Sequence, residues 1–369
     1  MNVPFVDLTP QHRPLARKFS EAFEAVASHG RFILGEEVAA FETAFARYLG
    51  VGHAIGVSSG IDALRLSLHV LGVEPGSEVV IPANTFVATA LAVTALGARP
   101  VLVDVDERSF NIDVERLERA ITPRTRAIVP VHLYGCPCDM DGVMAVAARH
   151  GLPVVEDACQ AHGARYRNRA CGTIAQAGCF SFYPAKNLGA FGDGGAIVTD
   201  DAGLATRMRR LRSYGERAKY EHTELGLNAR LDTLQAAILS IKLPYLDEWN
   251  TERVRLAGRY DEGLRGVPGV VAPLLAVDGR QGFHLYVIRS TARDALRDAL
   301  AAEGIGTGIH YPIPIHRQQC YPELAAFAPA VPVTERLAGE ILSLPMYPGL
   351  GDDAVAHVSA AIAAFHRTR

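Results

Sequence analysis

Between residues 51 and 200, short apolar segments alternate with amphipathic segments of helical periodicity. The predicted strands are, in order, HAIGVSSG, EVVIPANTF, RPVLVDVD, TRAIVPVHLYG, LPVVEDA, CFSFYP and GAIVTD. Strands that are apolar over most of their length and alternate with helices are typical of a mostly parallel sheet covered on both faces. We therefore predict an α/β fold with its ligand site at the carboxyl ends of the strands.

The rest of the chain predicts an arm and a second lobe. Residues 1–12 are predicted to be an extended arm, and a long helix after residue 230 is predicted to bend or break near Pro244. Strand, helix and turn-rich patterns follow in FHLYVIRS, ARDALRDALAAEG and TGIHYPIPIH. Because 369 residues exceed the size of one ordinary core, we predict a large domain over 1–245 and a smaller α+β domain over 246–369.

Composition narrows the class of protein. The net charge of −3 gives no electrostatic reason to bind nucleic acid or an anionic membrane. No run approaches the ~18 apolar residues of a membrane span, and the amino terminus does not resemble a signal peptide. Six cysteines in a chain of this length are not a disulfide scaffold, and CPC at 136–138 lacks a second pair at zinc spacing. We expect a cytoplasmic protein with reduced thiols and no metal.

Several predicted strands end in residues suited to a phosphorylated, flat ligand. Gly60 and Ile61 open a helix whose backbone N–H groups could hold phosphate, although a simple serine N-cap explains the pattern too. Phe86 follows the second strand and could cover a ring or pack in the core. Asp157 ends a buried strand, where a carboxylate needs a cationic partner unless it only caps the next segment.

The stretch from 179 to 197 supplies the reactive group. Lys186 lies among apolar and small residues, which disfavour its ammonium form and should lower its pKa. A neutral amine is what a Schiff-base catalyst requires. Taken with Ser181 and the preceding strand ends, a phosphate cradle, a ring stacker, a carboxylate and a lysine form the set required by pyridoxal 5′-phosphate.

The order of these motifs resembles the DegT/DnrJ/EryC1/StrS family of nucleotide-sugar aminotransferases, pyridoxal-phosphate enzymes of fold type I. The resemblance rests on SSGIDAL, PANTFVATA, PVVEDACQAHGA, SFYPAKNLGAFGDGGAIVT and GLNARLDTLQAAIL. It implies that Lys186 attaches the cofactor, Asp157 pairs with its ring nitrogen and Gln160 contacts its ring hydroxyl. It further implies stacking by Phe86 and phosphate contacts from Gly60, Ile61 and Ser181. Ile61 replaces the threonine common in the family, which removes a hydroxyl but no backbone N–H.

The same resemblance implies a homodimer with shared active sites. Asn228 would reach the phosphate from the neighbouring subunit, and Arg230 would help to bind substrate. Arg217 and Tyr220 follow a basic helix and could meet a phosphate-rich substrate, although a run of arginines is usually a solvated face.

Substrate preference is indicated by two further segments. Tyr183 in SFYP, with His310 and Tyr311 in HYPIP, is typical of family members that act on 3-keto sugars. The resemblance thus implies transfer of an amino group from L-glutamate to a nucleotide-linked keto-sugar, with dTDP-3-keto-6-deoxyhexose favoured. The product would be a 3-amino-3,6-dideoxyhexose for a surface glycan such as an O-antigen, or for a natural product. Amination at C4, a UDP-3-keto-hexuronic acid substrate and a non-catalytic regulator that keeps the fold are the alternatives.

Overall fold

The computed structural model describes residues 1–274 and 279–367. The helices are α1 Thr9–His12, α2 Ala16–His29, α3 Glu36–Leu49, α4 Gly60–Val70, α5 Val87–Thr94, α6 Val114–Leu117, α7 Met140–His150, α8 Ala202–Leu211, α9 Thr233–Lys242, α10 Leu246–Gly263, α11 Arg293–Ala302, α12 Pro332–Glu340 and α13 Asp352–Arg367. The strands are β1 His53–Val57, β2 Glu78–Pro82, β3 Arg99–Val103, β4 Thr125–Ile128, β5 Val155–Asp157, β6 Arg165–Tyr166, β7 Arg169–Ala170, β8 Ala177–Ser181, β9 Gly195–Thr199, β10 Glu216–Ala218, β11 Glu221–His222, β12 Val270–Val271, β13 Gly279–Arg280, β14 Tyr286–Ser290 and β15 Ile341–Leu344.

The main sheet has the order β3-β2-β4-β5-β8-β9-β1. Strands β3, β2 and β4 pair in parallel, and so do β5 and β8. Two parallel bridges, Ile128 with Val154 and Val131 with Asp157, join the two halves between β4 and β5. Strand β9 is antiparallel to both β8 and β1, so it alone of these seven runs against the others. The predicted mostly parallel sheet is confirmed.

Both faces of this sheet are buried, as the apolar strands require. Along β9, Ile197 packs with one cluster that includes Leu64 of α4, whereas Val198 packs with another that includes Phe41 and Phe45 of α3. Successive side chains of a strand point to opposite faces, so helices must cover both. Because helices cover the two faces, a ligand can reach the sheet at the carboxyl ends of its parallel strands.

The carboxyl-terminal part forms a second layer. Strands β12, β14 and β15 make an antiparallel sheet, and α10 packs against α13. The long helix predicted after residue 230 is interrupted at Leu243–Tyr245 by a 3-10 turn containing Pro244, as expected. The boundary predicted between residues 245 and 246 coincides with the start of α10, and the division into domains stays a prediction. Within the described residues, no helix is long and apolar enough to cross a membrane.

The amino-terminal arm differs from its prediction. Residues 9–12 form α1 rather than extended chain, because the side chain of Asp7 accepts a hydrogen bond from the Thr9 N–H at 2.8 Å and Pro10 suits a first helical turn. Ahead of this helix, Val3 is extended and pairs in parallel with Ile305. The start of the chain thus lies against the carboxyl-terminal part.

Candidate active site

A cavity of about 360 Å³ opens where β5 and β8 end and α4 begins. Ten of the residues expected at the site line it: Gly60, Ile61, Phe86, Asp157, Gln160, Ser181, Tyr183, Lys186, His310 and Tyr311. They come from five separate segments of the sequence. Their convergence follows from the topology, because parallel strands bring the segments that follow them to one edge.

Lys186 lies at this cavity on the loop after β8. Its backbone N–H bonds to the Tyr183 carbonyl at 2.8 Å, which fixes the turn that carries it. Burial of the amine lowers the pKa of Lys186 from its ordinary value. The side-chain nitrogen is 3.4 Å from Nε2 of His284. Burial also holds the pKa of His284 well below its usual range, so this imidazole is neutral and can accept a hydrogen bond from the amine.

Asp157 ends β5 and is almost fully buried. Its carboxylate accepts a hydrogen bond from the Thr89 hydroxyl at 2.9 Å and another from the Cys159 N–H at 3.2 Å. Within residues 1–274 and 279–367 it forms no ion pair. A buried carboxylate bound only by neutral donors favours a cationic group in front of it, and a protonated ring nitrogen meets that requirement.

The strand that carries Asp157 is held by a network of hydrogen bonds around the buried carboxylate of its neighbour Glu156. The Glu156 carboxylate accepts backbone hydrogen bonds from Gly172 at 2.7 Å, Ile174 at 2.6 Å and Ala175 at 2.7 Å. It also accepts one from Nε2 of His132 at 3.0 Å. This imidazole is oriented by the Cys138 N–H, which donates to Nδ1 at 3.0 Å. These bonds fix the end of β5, and no sequence motif identifies them.

The beginning of α4 forms a narrow cradle. A Cβ placed on Gly60 would lie 2.7 Å from Sγ of Cys159 and 2.8 Å from Cβ of Ser181, so a side chain there would fill the space. Ser59 caps the helix, with its hydroxyl accepting from the Asp62 N–H at 3.2 Å. The start of this eleven-residue helix lines the same cavity as Lys186, and the first turn of a helix is a suitable environment for a phosphate group.

An aromatic and amide wall completes the cavity. The Phe86 ring is half exposed there, with its centroid 5.2 Å from that of Tyr311. The Gln160 amide donates to the Tyr311 hydroxyl at 3.1 Å, and its oxygen accepts from the Tyr134 N–H at 2.7 Å. Flat, half-exposed aromatic surface beside a fixed amide can hold a planar ring with a hydroxyl substituent.

The structure does not bring four of the expected residues to this cavity. The guanidinium of Arg230 lies 5.1 Å from the ring centroid of Tyr214, and Asn228 pairs through its backbone with Ser213. Arg217 forms an ion pair with Glu221 on the β10–β11 hairpin, and Tyr220 is 82% exposed. In one copy of the chain these residues lie outside the site.

Other cavity residues were not found from the sequence. Phe5, Arg253 and His284 line it but belong to segments far from the main sheet in sequence. Arg253 is buried, and its Nη1 donates to the carbonyls of Phe283, His284 and Met346 at 2.8–3.3 Å. Within the described part of the chain, no cluster of His, Cys, Asp and Glu could hold a metal ion.

Fold and cavity together define a class of enzyme that moves amino groups with the help of a lysine-bound cofactor, on a large mostly parallel sheet. The DegT/DnrJ/EryC1/StrS aminotransferase family model matches residues 14–363, and the chain belongs to this family. This membership confirms the predicted fold, the aminotransferase activity and the pyridoxal phosphate cofactor of the class.

Individual relatives are similar over nearly their whole length. The chain is 49% identical to a dTDP-3-amino-3,4,6-trideoxy-α-D-glucose transaminase of Streptomyces venezuelae, over 94% of this chain and 92% of the relative. It is 41% identical to a UDP-2-acetamido-2-deoxy-3-oxo-D-glucuronate aminotransferase of Pseudomonas aeruginosa, over 98% and 99%. A crystal structure of S. venezuelae DesV in complex with a ketimine intermediate superposes with a TM-score of 0.97 at 48% identity, covering 99% of this chain and 98% of that chain.

Proposed function

We propose that this protein transfers an amino group from L-glutamate to C3 of a dTDP-linked 3-keto-6-deoxyhexose. The observation that carries the proposal is the meeting of Lys186, Asp157 and the start of α4 in one cavity. Similarity to nucleotide-sugar transaminases that differ in nucleotide and sugar supports the substrate class. The choice within that class rests on the cavity itself.

The residues present fit pyridoxal phosphate. The start of α4, with Ser181, would hold its phosphate, Phe86 would cover its ring, Asp157 would pair with its ring nitrogen and Gln160 with its hydroxyl. When bound, the cofactor supplies an electron sink for the carbon that loses or gains a proton. Every one of these side chains is oriented by hydrogen bonds or packing within the chain, so the site needs little reorganisation on binding.

Lys186 is the proposed attachment point and proton carrier. Its lowered pKa increases the fraction of neutral amine, which is the form that attacks a carbonyl and that removes a proton from carbon. His284, 3.4 Å from the amine, can accept a hydrogen bond from it and so orient it. The chain therefore provides both the base and a neutral acceptor beside it.

The charges of the cavity favour a sugar without a carboxylate. Among the described residues that line it, the basic side chains other than histidine are Lys186 and Arg253. Nη1 of Arg253 is already shared among three backbone carbonyls, and Lys186 is assigned to the chemistry. A hexuronic acid would depend on a cation from the partner copy for its carboxylate, because a buried carboxylate without a partner is costly. Tyr183, His310 and Tyr311 line the cavity. Their motifs, SFYP and HYPIP, resemble those of family members that act on 3-keto sugars, which supports amination at C3.

We also propose a homodimer in which each copy completes the other's site. Large apolar side chains are exposed on one copy: Phe32, Ile33, Leu34, Tyr220 and Leu225. Asn228 and Arg230 lie outside the cavity of their own chain and would supply amide and guanidinium groups to the partner's phosphate and substrate. Arg217 and Tyr220 are proposed substrate contacts on the same basis.

The absorption spectrum of protein loaded with pyridoxal phosphate tests the proposal, with the wild type beside Lys186→Ala. We expect a visible band in the wild type that L-glutamate removes with release of 2-oxoglutarate, and no such band in the variant. Amino-sugar formation is then followed with dTDP- and UDP-linked 3-keto-sugars. Cofactor binding without any glutamate-dependent change would contradict the proposal and favour a non-catalytic regulator.

A further inference from the structure

The amino-terminal segment is built into the active-site cavity. Val3 is 2% exposed and packs within the carboxyl-terminal core. Its N–H donates to the Gly304 carbonyl at 2.9 Å, and its carbonyl accepts from the Gly306 N–H at 2.8 Å. This pairing fixes the register of the segment, so that Phe5 and Val6, which follow directly, line the cavity.

Phe5 stacks on His310. The ring centroids are 5.6 Å apart and the planes are inclined by 20°. The other side of His310 is fixed, because its Nδ1 lies 2.8 Å from the Ser343 hydroxyl. Phe5 and His310 therefore form one rigid unit, which we refer to as the Phe5–His310 stack.

Two glycines make room for this stack. A Cβ on Gly306 would lie 2.6 Å from the backbone nitrogen of Phe5. A Cβ on Gly308 would lie 2.7 Å from Cε1 of His310 and 3.1 Å from Cζ of Phe5. The close approach of the two segments thus depends on residues without side chains, and the ring of Phe5 has no room to withdraw in that direction.

We propose that the ring of Phe5, held in place by its stacking on His310, binds together with Val6 the deoxygenated carbon of the sugar and selects 6-deoxyhexoses against sugars that carry a polar group there. This inference rests on the proposed function and adds a specificity determinant to it. Phe5 and Val6 offer no side-chain hydrogen-bond partner, so a hydroxyl or carboxylate buried against them loses its water without replacement. A site lined in this way discriminates by the cost of that loss, whereas a methyl group fits it.

The test uses the reverse reaction, in which an amino sugar gives its amino group to 2-oxoglutarate. The two probes are dTDP-3-amino-3,6-dideoxyhexose and the same compound with a hydroxyl at C6. We expect the wild type to prefer the 6-deoxy compound at least ~10-fold in kcat/KM, within the range of such apolar contacts. Phe5→Ala should reduce this ratio to below ~3-fold, mainly by raising KM for the 6-deoxy sugar.

Two controls separate specificity from stability. Phe23→Ala removes an exposed phenylalanine of α2 that does not line the cavity, and the preference should persist. Gly308→Ala removes no cavity side chain but displaces the stack, so it should lower the preference as Phe5→Ala does. Isothermal titration calorimetry with the two amino sugars measures the ratio of their dissociation constants, which reports the same preference without turnover.

An unchanged ratio in Phe5→Ala, including the case in which both sugars lose kcat/KM equally, would overturn the inference. Absence of sugar turnover in the wild type, with the binding preference present and sensitive to Phe5, would instead count against the proposed function alone.

Discussion

Replacing Glu156 by glutamine should destabilise the protein strongly, although the two side chains have nearly the same shape. The carboxylate is fully buried, and each of its oxygens accepts two hydrogen bonds. Glutamine has only one oxygen. With its NH₂ at the position of Oε1, the N–H groups of Ile174 and Ala175 lose their acceptor.

The opposite orientation of the amide also leaves two donors without an acceptor. With NH₂ at the position of Oε2, the Gly172 N–H and the His132 imidazole lose their acceptor. His132 cannot move its proton to Nδ1 without opposing the Cys138 N–H. Either way two buried donors are left unpaired, at about 1–3 kcal/mol each, or about 2–6 kcal/mol in total.

This loss converts to a measurable shift in melting temperature. The entropy of unfolding is about 2.1 cal/mol/K per residue, so a chain of 369 residues should lose about 3–8 °C by differential scanning calorimetry. Glu118→Gln is the matched control, because Glu118 pairs with Arg149 and His150 in solvent and should leave the midpoint nearly unchanged. A Glu156→Gln midpoint within 1 °C of the wild type would refute the reasoning.

Four further predictions concern the site. Gly60→Ala should weaken pyridoxal phosphate binding at least ~10-fold in a fluorescence titration, because its Cβ would meet Cys159 and Ser181, whereas Gly258→Ala, with no atom within 4 Å, should not. The rate of cofactor attachment should rise with pH with a midpoint below that of an exposed lysine, since burial lowers the pKa of Lys186. Burial lowers the pKa of His310 to about 4. The reaction rate measured by stopped flow should therefore show no change with pH between about pH 5 and 8 that comes from this histidine. A titration of His310 in that range would contradict its burial as a neutral imidazole. Mixing inactive Lys186→Ala with inactive Asn228→Ala should restore part of the activity through hybrid dimers, and no recovery after subunit exchange would contradict the shared site.

The fold was largely predictable because its signals are local. Apolar strands followed by helices repeat along the main sheet, and α3 ends at Gly50 with φ of 76°, a conformation that glycine adopts without strain. The short helix α1 was missed because it depends on one side chain, Asp7, and on a proline at its start. Four residues leave too little periodicity to detect.

The site was predictable where topology alone brings residues together. Asp157, Ser181 and the start of α4 each follow or precede a strand of the same sheet, so the strand-end rule places them side by side. Phe5, Arg253 and His284 reach the cavity only because the carboxyl-terminal part packs against that edge. Nothing in FHLYV or PFVDL specifies that packing, and the Glu156 network depends on backbone N–H groups that every residue has.

The segment between α8 and Asn228 combines exposed apolar side chains with polar residues that lie outside the cavity. Tyr220 is 82% exposed and Leu225 is 97% exposed, yet both lie in the segment between α8 and Asn228. A single copy exposes such apolar side chains to water at a cost proportional to their area. In the part of the chain that the structure describes, neither Asn228 nor Arg230 lines the cavity of its own copy. Both features have one explanation if a second copy covers the segment, because the same contact buries the apolar side chains and carries the polar ones into the partner's cavity. Assembly and activity should then fall together on dilution, and Leu225→Asp should lower both without a change in the cavity of its own chain.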